Sequence, residues 1–434
     1  MKRSHIGSII ILALVAALAG GGFFLYKFYA SKPPSIEGLD ALKKLSRKKS
    51  AHITVSSKFA LKEVAISIVQ GSKTVPLVAD APGTPRKEYD IVVEVKKLGL
   101  ADGPAVIEAR VKAGWFSHAE YSIEAAVKTT APIIAVLNSS YTARQGEAAA
   151  ALIKVQGASR VYVKIAQAEF PAFPDAVTEK DVYFALFPIP MDMSPQTAIT
   201  AAAEDDFGNS AQASISTRIT PFAFKKDTVT ISDDFINKQV YPILEKTPAE
   251  IPPVEAFVAV NEKLRVENEK RIRELTKKAS PKILFKGAFV QMRNTKVFAG
   301  FGDMRDYSYG DKIISHSTHM GYDLASTQND VVPATNDGTV LFTGNLGIYG
   351  NAVMIDHGMG LVSMYAHLSS IGVTDGQAVL KGAPLGKTGM TGLAGGDHLH
   401  FALILHGVYV SPVPWWDDKW IEKRITDVLH NKAP

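Results

Sequence analysis

The chain has 434 residues and a formal net charge of +5, with 46% apolar residues, 21% charged residues and no cysteine. This is globular rather than disordered composition, long enough for about three domains. The missing cysteines exclude disulfides, thiol nucleophiles and a lipid anchor on a cysteine. No basic run interleaved with aromatics is present, so no nucleic-acid partner is expected.

The first element in chain order is apolar. Residues 6–26 carry no charge and follow Lys2 and Arg3. At 1.5 Å per residue they make about 31 Å of helix, enough to cross a hydrocarbon core of about 30 Å. The expectation is a cytoplasmic tail at 1–5 and a transmembrane anchor at 6–28. The competing reading is a cleaved leader with Ala17-Leu18-Ala19 as the cleavage triplet. The uncharged run continues through Phe23, Phe24, Leu25 and Tyr26, which favours an uncleaved anchor. Either reading exports the remainder.

Residues 35–222 read as all-β. Short β-rich runs recur at 52–59, 89–95, 105–111 and 120–127, then at 132–137, 149–155, 161–165, 183–187, 197–203 and 211–219. Turn clusters such as Asp80-Ala81-Pro82-Gly83 and Asp205-Asp206-Phe207-Gly208-Asn209 separate them. The density of strands predicts two β-sandwich modules resembling immunoglobulin-like domains, at 35–130 and 131–222.

A helical linker is expected over 223–282. Ser232 is placed to cap a short helix that Pro242 would break. After Pro252-Pro253, the Glu-, Lys- and Arg-rich stretch 255–278 carries Phe257, Leu264, Ile272 and Leu275 at helical spacing, predicting one long helix with a single apolar stripe packed on a neighbouring domain. A coiled-coil seam is the other reading, but Asn261 and Asn268 interrupt it.

The region 283–434 carries the chemistry. Seven of the eleven histidines lie between His316 and His406. In an extended segment, residues two or four apart share a face. His398 and His400 then stand side by side, as do His319 and Asp323, with Gly321 arguing against a helix between the latter. Two such pairs on facing elements offer three groups to a metal and one histidine for proton transfer. No His-Glu-x-x-His helix and no Gly-x-Ser-x-Gly elbow is present. Gly386-Lys387-Thr388 resembles the end of a phosphate loop, but the preceding glycine stands at 382, one residue too late. It reads as a turn. A lone histidine in a β-rich domain is usually structural, and His316, His357 and His406 keep that reading.

The order His319-Met320-Gly321-Tyr322-Asp323, then Tyr365-Ala366-His367-Leu368, then His398-Leu399-His400-Phe401 resembles the lysostaphin/LytM-type zinc endopeptidases of bacterial peptidoglycan. The resemblance covers about residues 287–410. It implies a mostly β chain ending in an antiparallel β peptidase domain, with Zn2+ held by His319, Asp323 and His400. It also implies that His367 and His398 are catalytic histidines that do not bind the metal. Asp397 stands where the family often has proline and Ala402 where it often has an acidic residue, and neither removes a ligand. The glycine-rich stretch 389–396 would form a flexible rim of the groove. The expected activity is hydrolysis of stem peptides or cross-links of peptidoglycan, on a single-pass inner-membrane protein with its bulk in the periplasm. The alternative is a non-catalytic wall-binding protein that activates or localises another hydrolase. The β modules and the helix are candidates to restrain the groove or to meet a regulatory protein partner.

Overall fold

A computed structural model describes residues 4–30, 32–114, 117–174 and 179–432, and the side chains of the first helix over 10–26. The chain forms two compact units, Met1–Pro132 with Glu204–Ser210, and Ile133–Ala203 with Ala211–Pro434.

The first unit begins with a helix, Ser4–Ala30. Among the described residues no helix is long and apolar enough to cross a membrane. The expected anchor therefore rests on the sequence alone. Two sheets follow. One has five strands, in the order Lys44–Leu45, Ser117–Val127, Gly103–Ala113, Leu61–Gln70 and Lys73–Asp80. The other has three, in the order Ser35–Glu37, Lys48–Ser56 and Arg86–Glu94. Alternate residues of each strand face inward, and Ile53, Val55, Ile66, Ile68, Ile107 and Val111 form one buried cluster between the sheets. The hairpin Leu61–Gln70 to Lys73–Asp80 was missing from the sequence reading. Its turn needs Gly71, whose φ of 59° favours a residue without a side chain.

In the second unit, Ile133–Ser139, Ala148–Gln156 and Val182–Pro188 make a three-stranded sheet. It faces a four-stranded sheet of Ala168–Pro171, Arg160–Ile165, Ile199–Glu204 and Ser210–Ser214. The three-stranded sheet is apolar on both faces. Ala149, Ala151, Ile153, Ala185 and Phe187 pack within the sandwich, while Ala150, Leu152, Phe184 and Leu186 join the core of the C-terminal region. The period of two sends alternate residues into two different cores, so the small-residue run Ala148-Ala149-Ala150-Ala151 lies between them.

That C-terminal core is built on an eight-stranded antiparallel sheet. Its path runs Lys296–Ala299, Tyr322–Ala325, Leu399–Leu405, Leu361–Ala366, Asn351–Gly358, Gly338–Asn345 and Ala378–Val379, with Val408–Val410 beside Leu399–Leu405. One face, bearing Leu399, Phe401 and Leu403, packs on the preceding β-sandwich and on Trp415, Ile421 and Ile425. The other face, bearing Met364, Ala366, Ala402 and Ile404, packs on Ile236, Val240, Phe257, Val260 and Ile272 of the helical segment.

The helical segment matches the expected stripe, but the expected linker also contains a strand, Lys226–Thr230, paired with Met304–Tyr309, and departs from the reading at Pro242. Ser232 does cap a helix, its Oγ accepting from the Phe235 N–H at 3.2 Å. Pro242, however, does not break it. The chain is helical over Asp233–Phe235, widens into a π turn over Ile236–Val240 and continues through Tyr241–Leu244. The wider turn and the position of Pro242 in a first turn accommodate its missing N–H. In the C-terminal region, Gly386-Lys387 lie in a strand, Pro384–Lys387, paired with Val331–Pro333 and Ser370–Ile371, and not in a turn.

The long helix runs over Pro253–Val258, a π turn at Ala259–Leu264, and Arg265–Thr276. Phe257, Val260 and Ile272 are buried. The asparagines that interrupt the seam are docking residues. Asn261 Nδ2 donates to Ser315 Oγ at 2.8 Å, and Asn268 Oδ1 accepts from the Ile348 N–H at 2.9 Å.

Candidate metal centre and catalytic pocket

Strand register brings the motifs together. Tyr322–Ala325 pairs with Leu399–Leu405 so that Asp323 stands directly across from His400, and Leu361–Ala366 pairs on the other side with Ala366 across from His400. Tyr322 and Phe401, one residue along, point to the opposite face, where both meet Trp416. His319 follows the strand Lys312–Thr318 and is fixed by its backbone, its N–H donating to the Asp303 carbonyl at 2.8 Å and its carbonyl accepting from Gly302 at 2.7 Å. Gly321 is required for a reason the sequence did not show. A Cβ there would lie 2.7 Å from the His400 ring and from the Phe401 carbonyl.

Three side-chain atoms converge. His319 Nε2 lies 2.9 Å from Asp323 Oδ1 and 3.0 Å from His400 Nδ1, and His400 Nδ1 lies 2.9 Å from Asp323 Oδ1. His319 Nδ1 faces the Gly300 carbonyl at 2.9 Å and must donate to it, leaving Nε2 with a lone pair. A single proton cannot satisfy all three edges of this triangle. A divalent cation can, and the donor set of two imidazoles and a carboxylate suits zinc. Burial opposes ionisation of Asp323, but the His319, His398 and His400 rings that face its carboxylate outweigh it and hold the carboxyl well below the usual range. Burial pushes His400 down to about 4, so it stays neutral at pH 7.

His367 and His398 flank this triangle, with ring centroids 4.9 Å apart. Each Nδ1 is committed to a backbone carbonyl, His367 to Thr391 and His398 to Gly396, both at 2.8 Å. The neutral form of each therefore presents a bare Nε2, and His398 Nε2 lies 3.5 Å from Asp323 Oδ1. Burial pushes His367 down to about 3. For His398 burial acts in the same direction, but the Asp323 carboxylate raises the pKa overall. His367 has a left-handed backbone, φ 63°, which costs a non-glycine residue about 1–3 kcal/mol. Its N–H to the Tyr349 carbonyl and the Leu368 N–H to the Asn351 carbonyl hold it there.

The stretch 389–396, expected as a flexible rim, supplies the two carbonyls that set these tautomers. It is tied down by Thr391 Oγ1, which accepts from the Asn351 N–H and donates to the Leu368 carbonyl, and by the Leu393 N–H bonded to Ile348. Asp397 braces the same strand end, accepting from Thr388 Oγ1 at 2.6 Å and from the Asn329 N–H at 3.2 Å. Ala402 lies fully buried under the helical segment, where a carboxylate would have no solvent.

The three histidines read as structural are so placed. His316 is exposed and pairs with Asp306 at 2.7 Å. His357 is buried between the Asp337 carbonyl and Ser363 Oγ. His406 donates to the Leu186 carbonyl at 3.1 Å and stacks on Phe173, tying the end of the strand Leu399–Leu405 to the β-sandwich. Two residues that sequence reasoning passed over line the pocket of about 140 Å³ beside the triangle, Arg305 and Arg265. Arg305 Nη2 lies 3.4 Å from Asp323 Oδ2. Neither sits in a motif, and no spacing signals them.

The profile of Peptidase family M23 matches residues 317–412. The DD-carboxypeptidase/endopeptidase Mpg of Neisseria meningitidis is 43% identical over 95 residues, 22% of either chain. The murein hydrolase activator EnvC of Escherichia coli is 30% identical over 109 residues, 25% of this chain and 26% of that protein. The chain thus spans about a fifth to a quarter of the length of these curated relatives. Among solved structures, the catalytic domain of lysostaphin from Staphylococcus simulans is 27% identical, covering 28% of this chain and 92% of that one at a TM-score of 0.25.

Proposed function

With residues 317–412 forming a peptidase family M23 domain, we propose that the chain is a zinc-dependent endopeptidase acting on peptide cross-links or stem peptides of bacterial peptidoglycan. The observation that carries this reading is the convergence of His319 Nε2, Asp323 Oδ1 and His400 Nδ1 at 2.9–3.0 Å, with two further histidines beside them. In this proposal those three residues hold the metal, which when bound lowers the pKa of a water to about 7 and polarises the scissile carbonyl. His367, kept neutral by burial, takes the proton from the attacking water at its bare Nε2. His398, whose proton the Asp323 carboxylate favours, donates a hydrogen bond from Nε2 to the carbonyl oxygen as charge develops there, and the proton taken up by His367 passes to the leaving amine as the C–N bond breaks. Purified protein supplied with zinc should release new amino and carboxyl ends from isolated sacculi, and ends left unchanged would refute the proposal.

A second reading is carried by the identity to EnvC, named a murein hydrolase activator. On that reading this chain would leave sacculi intact alone and accelerate a separate hydrolase. The retention of all three candidate ligands favours the enzyme.

The proposal extends to placement. The uncharged run at 6–26 supports an inner-membrane anchor with the bulk of the chain in the periplasm. Recovery of the full chain in the soluble fraction after a carbonate wash would contradict it.

A further inference from the structure

Arg265 and Arg305 both line the pocket beside the converging ligands, and both lie outside the family-matched residues 317–412. Arg265 arrives from the long helix. Its Nε donates to the Asn261 carbonyl at 3.0 Å and its Nη2 to Asn261 Oδ1 at 2.7 Å. Asn261 is itself buried and held by Ser315 Oγ and the His316 carbonyl. The guanidinium is therefore aimed by two hydrogen bonds to neutral acceptors, with three of its five N–H donors left over.

The carboxylates that would ordinarily neutralise it on a helix are turned elsewhere. Glu269, four residues on, accepts from Tyr349 Oη at 2.5 Å, and Glu262, three residues back, accepts from Ser315 Oγ at 2.8 Å. Among the described residues Arg265 makes no ion pair. Among the described residues Arg305 has one carboxylate within ion-pair distance, Asp323, which is also a candidate metal ligand, while Asp227 acts on it at longer range and is itself paired with Lys225. With a divalent cation on Asp323, the pocket sets two guanidiniums and that ion against a single carboxylate. A half-buried cation without a counter-charge is costly unless a ligand supplies one.

We infer that Arg265 and Arg305 form a carboxylate-binding subsite beside the metal ligands, through which the chain selects acidic peptides. The planar fork of each guanidinium suits a carboxylate in two-point contact. The carboxylate is either the free C-terminus of the peptide or an acidic side chain near the scissile bond. This rests on the proposed peptidase reading and deepens it by naming what the substrate must carry.

The test reads binding, so it is independent of turnover. Full-length His367→Ala protein in detergent, loaded with zinc and impaired in turnover, is titrated with a dansylated peptide ending in D-Ala-D-Ala and followed by anisotropy. The peptide is offered as the free acid, as the C-terminal amide, and as the amide with one aspartate before the D-Ala pair. The free acid or the aspartate amide should bind about 10-fold or more tighter than the plain amide, and whichever does so identifies the source of the carboxylate. Arg265→Gln and Arg305→Gln should each remove most of that preference. Arg271→Gln, on the same helix but against Phe342, should keep it. If Arg265→Gln loses its thermal transition, Arg265→Lys decides, since a point charge without the fork should weaken the preference several-fold. Equal binding of all three peptides, or a preference untouched in Arg265→Gln or Arg265→Lys, overturns the inference. Hydrolysis of sacculi without such a preference would sink the subsite and leave the peptidase reading standing. The preference without hydrolysis would do the reverse.

Discussion

Asp323 and His400 are direct cross-strand partners, and their side chains meet with Asp323 Oδ1 2.9 Å from His400 Nδ1. Register alone therefore builds one side of the candidate metal triangle, and only His319 comes from outside the paired strands. Because a slip of one residue turns every side chain to the opposite face, the packing of Tyr322 and Phe401 on Trp416 indirectly fixes the ligands. Trp416→Ala should lower zinc affinity while leaving all three ligands in place. Calorimetric zinc titration showing wild-type affinity in this variant would separate the register from the site.

The flanking histidines should behave differently from the ligands. His367→Ala and His398→Ala are each expected to retain zinc and to lose about 10²–10⁴-fold in hydrolysis, the usual cost of removing a positioned proton-transfer group. Rates on sacculi close to wild type in both variants would exclude the assigned roles.

The helix over 253–276 belongs to the fold as well as to the pocket. Phe257 is 1% exposed and meets Tyr307 edge-on at 5.1 Å. Phe257→Ala should cost about 3–5 kcal/mol, read as a lowered denaturation midpoint. For the same reason a fragment cut at residue 282 should aggregate, having lost the strand Lys226–Thr230 and the buried helix face. A fragment from residue 132 onward should melt cooperatively. Two equally sharp melting transitions would show that the helix is dispensable.

The candidate site was legible because His319, Asp323, His367, His398 and His400 occur in fixed order with period-two spacing inside each pair. Much of the all-β region was also legible from alternation. What the sequence hid was long-range. The run Ala148-Ala149-Ala150-Ala151 gives a strand but not the fact that its two faces enter different cores. Asn261 and Asn268 looked like flaws in a helical seam, and they are the groups that dock the helix. Pro242 signals a break wherever the helix is assumed regular, and a π turn before it removes the conflict. Arg265 and Arg305 carry no spacing signal, since tertiary packing alone brings them to the pocket.

Acid sensitivity should come from two buried histidines away from the ligand triangle. Burial pushes His357 and His406 each down to about 4. The unfolded chain, with ordinary histidines near 6.5, then binds more protons than the folded one between those values. Stability is fully present above about pH 6.5 and declines as pH falls toward 4, by about 2 kcal/mol for each histidine at pH 5. Urea unfolding of His406→Phe should show a correspondingly smaller loss between pH 7 and pH 5. An unchanged pH slope would remove His406 from the account.

The most direct measurement is the zinc content of the purified chain and its ligand variants by elemental analysis. The account predicts one zinc per wild-type chain and one in His398→Ala, with the metal lost from His319→Ala and from His400→Ala. One tightly held zinc in both of the latter variants, or none in the wild-type chain after exposure to zinc, would contradict it.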